Sequence, residues 1–172
     1  MHILYLTSGF SFGGAQKIMV GLAEQAVQRG HEASFLTICP GNDYEERLQA
    51  KNISLQSLKY EGRFTPRNLL SILQLREAME EKIRQVNPDL VHEQLFIPKL
   101  LAFGKSMLGG CPVVHTQQDT SPWWPKGDLY SRLQTFIERR FSRRTADQNV
   151  AISEGVRDGM VQAGLVNSKE AC

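Results

Sequence analysis

Thr7-Ser8-Gly9-Phe10-Ser11-Phe12-Gly13-Gly14 runs from an apolar segment straight into a helical pattern. Glycines without side chains let a ligand approach the backbone, and a helix start offers free N–H groups at the positive end of its dipole. A phosphate or a sugar hydroxyl suits that chemistry, with Gly13 and Gly14 making the contact. The spacing is not G-x-G-x-x-G and no Gly-Lys-Ser/Thr occurs, which excludes the dinucleotide fingerprint and the phosphate loop of nucleotide triphosphatases. The plainer reading is a tight turn in which Gly14 lets helix and strand pack closely.

The histidines are His2, His31, His92 and His115. His2 and His31 fall near strand starts and read as structural. His92 ends a strand before Glu93 and Gln94, where it can hydrogen-bond a ligand or be satisfied within the core. His115 lies inside an apolar strand and reads as core. Gln117-Gln118-Asp119 follows a strand. Uncharged amides and a carboxylate there can grip sugar hydroxyls, and the aspartate can equally cap a turn. No His/Asp/Glu/Cys cluster has metal-ligand spacing, no Gly-x-Ser-x-Gly elbow occurs, and no catalytic triad can be named.

Between Lys126 and Arg144 stand six basic residues, Arg139, Arg140, Arg143 and Arg144 among them, against two acidic ones. Trp123 and Trp124 precede this stretch. A basic amphipathic helix beside tryptophans can lie on an anionic membrane. An ordinary surface helix is the alternative, with Leu129, Leu133, Phe136, Ile137 and Phe141 covering a sheet and the arginines in water.

The elements that must position these residues alternate. Strands are predicted over His2–Leu6, Ala33–Ile38, Ile53–Leu58, Asp89–His92, Pro112–Thr116 and Gln148–Ile152. Helical spacing runs from Ile18 to Val27 up to Gly30, from Asn68 to Val86 up to Asn87-Pro88, over Pro98–Leu108, Leu129–Arg144 and Glu154–Ala163, with a short charged helix near Asp43–Lys51. Strand-helix alternation implies an α/β domain with a parallel sheet, helices on both faces and right-handed crossovers. Ligands of such sheets bind beyond the carboxyl ends of the strands. That rule selects the loops at Thr7–Gly14, Cys39–Asp43, His92–Pro98, Thr116–Pro125 and Ser153-Glu154.

A chain of 172 residues, 41% apolar and 22% charged, suits one globular domain without staples. A net charge of +2 argues against a dedicated nucleic-acid binder. Three scattered cysteines point to a reducing compartment. No eighteen-residue apolar run occurs, and Met1-His2-Ile3 reads as a first strand, not a signal peptide.

Several segments, taken in order, resemble one known family. Gly13-Gly14-Ala15-Gln16, Leu22-Ala23 and Arg29-Gly30-His31-Glu32 resemble the opening of glycosyltransferase family 4. Pro88-Asp89-Leu90-Val91-His92 and Pro112-Val113-Val114 before Asp119 resemble its next strands. Ala146-Asp147, Val150-Ala151-Ile152-Ser153-Glu154, Arg157 and Ala163-Gly164 resemble its later segment. The resemblance implies a GT-B architecture of two Rossmann-like domains facing a cleft, with this chain as the N-terminal, acceptor-side domain. It implies sugar transfer from a nucleotide-sugar donor, a UDP- or GDP-sugar, with retention and without an essential metal. It implies a glycan or lipid-linked acceptor and a cytoplasmic site of action, at the inner membrane face if the acceptor is lipid-linked. Gly13 and Gly14 would approach donor phosphates or acceptor, and Ser153 and Glu154 would line the cleft.

Two departures matter. The family's histidine before Asp119 is Gln118 here, and its second histidine after the Pro-Asp strand is Gln94. Glutamine cannot serve as a titratable base but still bonds a hydroxyl. No cofactor is expected in this domain, and the nucleotide-binding half is expected outside the chain, which predicts inactivity alone and, from a bare sheet edge and cleft face, self-association or marginal stability. Two other readings stay open: half of a sugar-nucleotide epimerase of similar architecture, and a stand-alone carbohydrate- or phosphate-binding module.

Overall fold

A computed structural model of the chain describes residues 1–11, 13–41, 43–62, 68–101, 105–118 and 129–167. In chain order the elements are β1 (His2–Thr7), α1 (Gly14–Gln28), β2 (Glu32–Thr37), α2 (Glu45–Gln49), β3 (Ser54–Ser57), α3 (Leu69–Val86), β4 (Leu90–Gln94) and α4 (Phe96–Leu101). A 3₁₀ turn at Lys105–Leu108 precedes β5 (Val113–Gln117), α5 (Leu129–Arg144), β6 (Gln148–Ala151) and α6 (Glu154–Gln162). The six strands form one sheet in the order β3-β2-β1-β4-β5-β6. Every pairing is parallel. The fold is therefore Rossmann-like α/β, and the chain reverses its direction of travel across the sheet between β1 and β4.

Both faces are covered, so β1 and β2 are nearly all buried rather than alternating. On one face Leu4, Leu6, Leu36, Val91 and Val113 pack with Leu75, Met79 and Ile83 of α3, Leu101 of α4 and Phe141 of α5. On the other, Ile3, Tyr5, Ala33 and Phe35 pack with Met19, Val20, Ala23 and Ala26 of α1 and Leu48 of α2.

Helix ends follow local chemistry. After α1, Gly30 takes φ +82°. Its N–H reaches Val27 O while His31 N–H reaches Ala26 O, both at 3.0 Å. This pair of bonds closes the helix and directs the chain into β2. Asn87 ends α3 at φ 47°, ψ 59°, outside the helical region that the following proline disfavours. The helix expected over Pro98–Leu108 differs. It starts at Phe96, so Pro98 sits in the first turn, where no N–H is used. Among the described residues it divides into α4 and the 3₁₀ turn. The turn from β4 into α4 is made by Leu95 at φ 73°, left-handed backbone that glycine adopts more readily.

Candidate functional site

The carboxyl ends of all six strands lie along one edge of the sheet, and the direction reversal between β1 and β4 marks where a ligand crevice belongs. Three segments meet there. Gly13, with extended backbone at φ −163°, is the residue before α1, and no side chain caps the helix among the described residues. The first N–H groups of α1 have no partner within the helix. A Cβ on Gly13 would lie 2.5 Å from Gln16 Oε1, the movable end of a side chain. A Cβ on Gly14 would meet nothing within 4 Å. Close packing between helix and strand is therefore not what Gly14 serves, which corrects that alternative and leaves an open approach to the backbone.

Gln118, just beyond β5, spans the junction. Its Nε2 donates to Gln94 Oε1 at 2.7 Å and, at 3.5 Å, to the Ala15 carbonyl at the start of α1. Gln94 is the last residue of β4, fully buried, and its Nε2 has no partner among the described residues. One amide pair thus joins the ends of β4 and β5 to the glycine-opened helix start. Spacing alone did not mark Gln94. Its signal was the departure from the family pattern.

His92 lies two residues earlier on β4, and its side chain shares the sheet face of Gln94. Its Nε2 is 2.8 Å from Thr116 Oγ1, and its ring packs against Tyr5 at 5.3 Å between centroids. Burial, with a smaller contribution from His115, lowers its pKa to about 4, so the imidazole is neutral. Ser153 and Glu154 stand at the same edge beyond β6, both exposed. Ser153 Oγ accepts from Val156 N at 3.3 Å as the cap of α6. Asp119, Trp123 and Trp124 lie outside the described residues.

On α5 the expected partition of apolar residues is not what the structure contains. Ile137 and Phe141 are buried, together with Thr135, Glu138, Ser142 and Thr145. Leu129, Leu133 and Phe136 are instead 84%, 54% and 61% exposed. They share the outward face with arginines. The 100° helical step places positions 129, 133, 136, 140 and 143 in one arc, opposite 138 and 141. Arg139, Arg140, Arg143 and Arg144 line a surface hollow of about 230 Å³ with Phe136. Arg139 is also tied down, donating from Nη2 to Ala163 O at 2.9 Å, at the C-terminal end of α6.

His115 is buried as expected, but among polar groups. It meets Glu93 and Gln117, and Lys99 and Glu138 complete a sealed cluster. Sequence reading missed this cluster, since Lys99 and Glu138 look like surface charges. The one signal was the position of Glu138 beside Ile137 and one turn before Phe141.

Among the described residues no group of three or more His, Cys, Asp or Glu side chains is arranged to hold a metal ion. No described helix is long and apolar enough to cross a membrane.

The model of Glycosyltransferase Family 4 matches residues 12–169. A Klebsiella pneumoniae protein described as an uncharacterized 42.6 kDa protein in the cps region is 23% identical over 188 residues, covering 94% of this chain and 50% of its own length. Among solved structures, Anabaena Alr3699/HepE in complex with UDP-glucose superposes with a TM-score of 0.68 at 17% identity, over 100% of this chain and 43% of its own. The lipopolysaccharide outer core galactosyltransferase WaaB gives 0.64 at 16%, over 100% and 44%. UDP-GlcNAc 2-epimerase from Neisseria meningitidis gives 0.60 at 13%, over 99% and 45%. These structural likenesses show the shared fold, and the chain spans about half the length of the relatives it matches. Since the family match covers most of the sequence, the chain belongs to Glycosyltransferase Family 4.

Proposed function

We propose that the chain is the acceptor-binding half of a retaining glycosyltransferase, which moves a sugar from a UDP- or GDP-sugar to a glycan or lipid-linked acceptor. The observation that carries this reading is the junction of Gln94, Gln118 and the start of α1 at the reversal between β1 and β4. It offers amide donors and acceptors beside a glycine-opened helix start, a chemistry matched to neutral hydroxyls and to phosphate oxygens. No titratable side chain takes part in that junction among the described residues. The reaction it favours is one in which donor phosphate and acceptor hydroxyl exchange the proton while the protein positions and polarises them. The nucleotide would be held by a second half that this chain does not contain, and the chain alone would be inactive.

The test is sugar transfer from UDP- and GDP-sugars by a longer protein carrying this half, compared with Gln118→Ala and with the chain alone. The expected result is transfer by the longer protein, a loss of roughly tenfold or more in Gln118→Ala, as for one lost positioning bond in the transition state, and none by the chain alone. Full activity in Gln118→Ala would remove the junction from the mechanism. An epimerase reading predicts interconversion of the free sugar nucleotide without any acceptor. A binding-module reading predicts ligand binding by the chain alone with no turnover in any context.

A membrane-facing α5 is a separate reading, favoured by one observation. Leu129, Leu133 and Phe136 are exposed on the same arc as the arginines. Apolar groups that can enter an acyl boundary, interleaved with cations that can meet anionic headgroups, suit a peripheral contact near a lipid-linked acceptor.

A further inference from the structure

On the sheet face covered by α3, α4 and α5, Glu93, Lys99, His115, Gln117 and Glu138 are buried together. Lys99 Nζ donates to Glu138 Oε2 at 2.6 Å and to Gln117 Oε1 at 3.3 Å. His115 Nε2 is 3.1 Å from the same Gln117 Oε1, and its Nδ1 is 2.7 Å from Glu93 Oε2. An ammonium only donates, so the shared Gln117 atom must be the amide oxygen. His115 Nε2 must therefore carry a hydrogen to bond it. Burial and, secondly, the Lys99 charge lower the imidazole pKa to about 3, so the ring is neutral and Nδ1 is a lone pair. A bond to that lone pair needs a hydrogen on Glu93. Burial, against the pull of Lys99, raises the Glu93 carboxyl to about 8. Glu93 Oε1 has no hydrogen-bond partner among the described residues, which costs less for the carbonyl of a neutral acid than for a carboxylate.

We propose that Glu93 is a positioning residue acting as a neutral carboxylic acid. By donating to His115 Nδ1 it fixes the imidazole tautomer, orients Gln117 between His115 and Lys99, and holds the strand ends on which Gln94 and Gln118 stand. The value of holding those amides rests on the function proposed above, while the protonation state of Glu93 does not. Among the described residues, the groups facing Glu93 are His115 and Gln117 on β5, Lys99 on α4 and Glu138 on α5. The core residues of β1 and α3 on this side, Leu6, Leu75, Met79 and Ile83, are apolar.

The sign of the pH dependence follows from linkage. Between the ordinary carboxyl value of 4.5 and about 8, the folded chain holds a proton that the unfolded chain has lost. This group's contribution to stability therefore falls as pH rises through that window and levels off above it.

The deciding experiment is ¹⁵N NMR of the chain from pH 5 to 9, with melting curves, on the wild type and Glu93→Gln. A glutamine amide can donate to Nδ1 as the acid does. The expected wild-type spectrum has His115 as the neutral Nε2–H tautomer from pH 5 to 7, with Gln94 and Gln118 side-chain amide signals shifting near pH 8. Glu93→Gln should keep the His115 spectrum, lose the amide titration, and lose the decline in melting temperature between pH 5 and 8. An imidazolium signature for His115 at pH 6, or an amide titration that persists in Glu93→Gln, overturns the proposal. The wild-type spectra decide between neutral acid and carboxylate even if the variant fails to fold. None of these readouts depends on sugar transfer, so failure of the functional reading would leave them standing.

Discussion

Gln118 shows how far a single residue can be read before its neighbours are known. Its place after a strand marked it as a candidate, but its partner across the sheet, Gln94, and its reach to Ala15 depend on strand order. His92 carried two readings at the sequence level because a strand-end histidine serves either purpose. Its Nε2 is engaged with Thr116 and its ring packs on Tyr5. Its lowered pKa has a consequence for acid stability. Below the ordinary value of 6.5 the unfolded chain takes up a proton that the folded chain refuses until about pH 4. His92 therefore contributes stability that is present above pH 6.5 and lost as pH falls through that window. His92→Gln should flatten the decline of melting temperature between pH 6.5 and 4. An unchanged acid limb would mean that His92 is already protonated in the fold. The Glu93 cluster was illegible for a different reason. Composition and spacing do not reveal which charged side chains will be sealed in, because that depends on which helices cover which strand ends.

At the scale of elements, the ends of α1 and α3 were legible because glycine, asparagine and proline act locally, while the start of α4 was not. What α1 does with its glycines depends on what packs around them. Gly14→Ala should leave the melting temperature unchanged or raise it, by up to about 1 kcal/mol of stability, since the backbone there is helical and the space open. A fall of several degrees would restore the packing role excluded above. Alanine at this position should nevertheless hinder ligand approach, so the transfer rate of the longer protein is the matching measurement. Helix α5 shows where periodicity runs out. The spacing puts all five apolar residues on one broad face, and only the sheet decides that Ile137 and Phe141 face inward while Leu129, Leu133 and Phe136 do not. A membrane role predicts flotation with vesicles containing phosphatidylglycerol, weakened by Arg140→Gln with Arg143→Gln and, independently, by Phe136→Ser. Arg139 is left intact because it holds the end of α6. Equal flotation of all three proteins would remove lipid contact from consideration.

At the scale of the whole molecule, the parallel α/β class was legible, because alternating elements admit few arrangements. The order β3-β2-β1-β4-β5-β6 places the reversal beside the glycine-opened helix start. The edge strands β3 and β6 have four residues each, short templates for edge pairing. Leu95 sits at this reversal, a bulky side chain in backbone that suits glycine, at a cost on the order of 1–3 kcal/mol. That strain, if it is stored here, sits directly after Gln94 in the chain. Leu95→Gly should let it relax, keeping or raising the melting temperature while blunting transfer by the longer protein. A clear drop in melting temperature would mean that the leucine earns its place by its contacts alone.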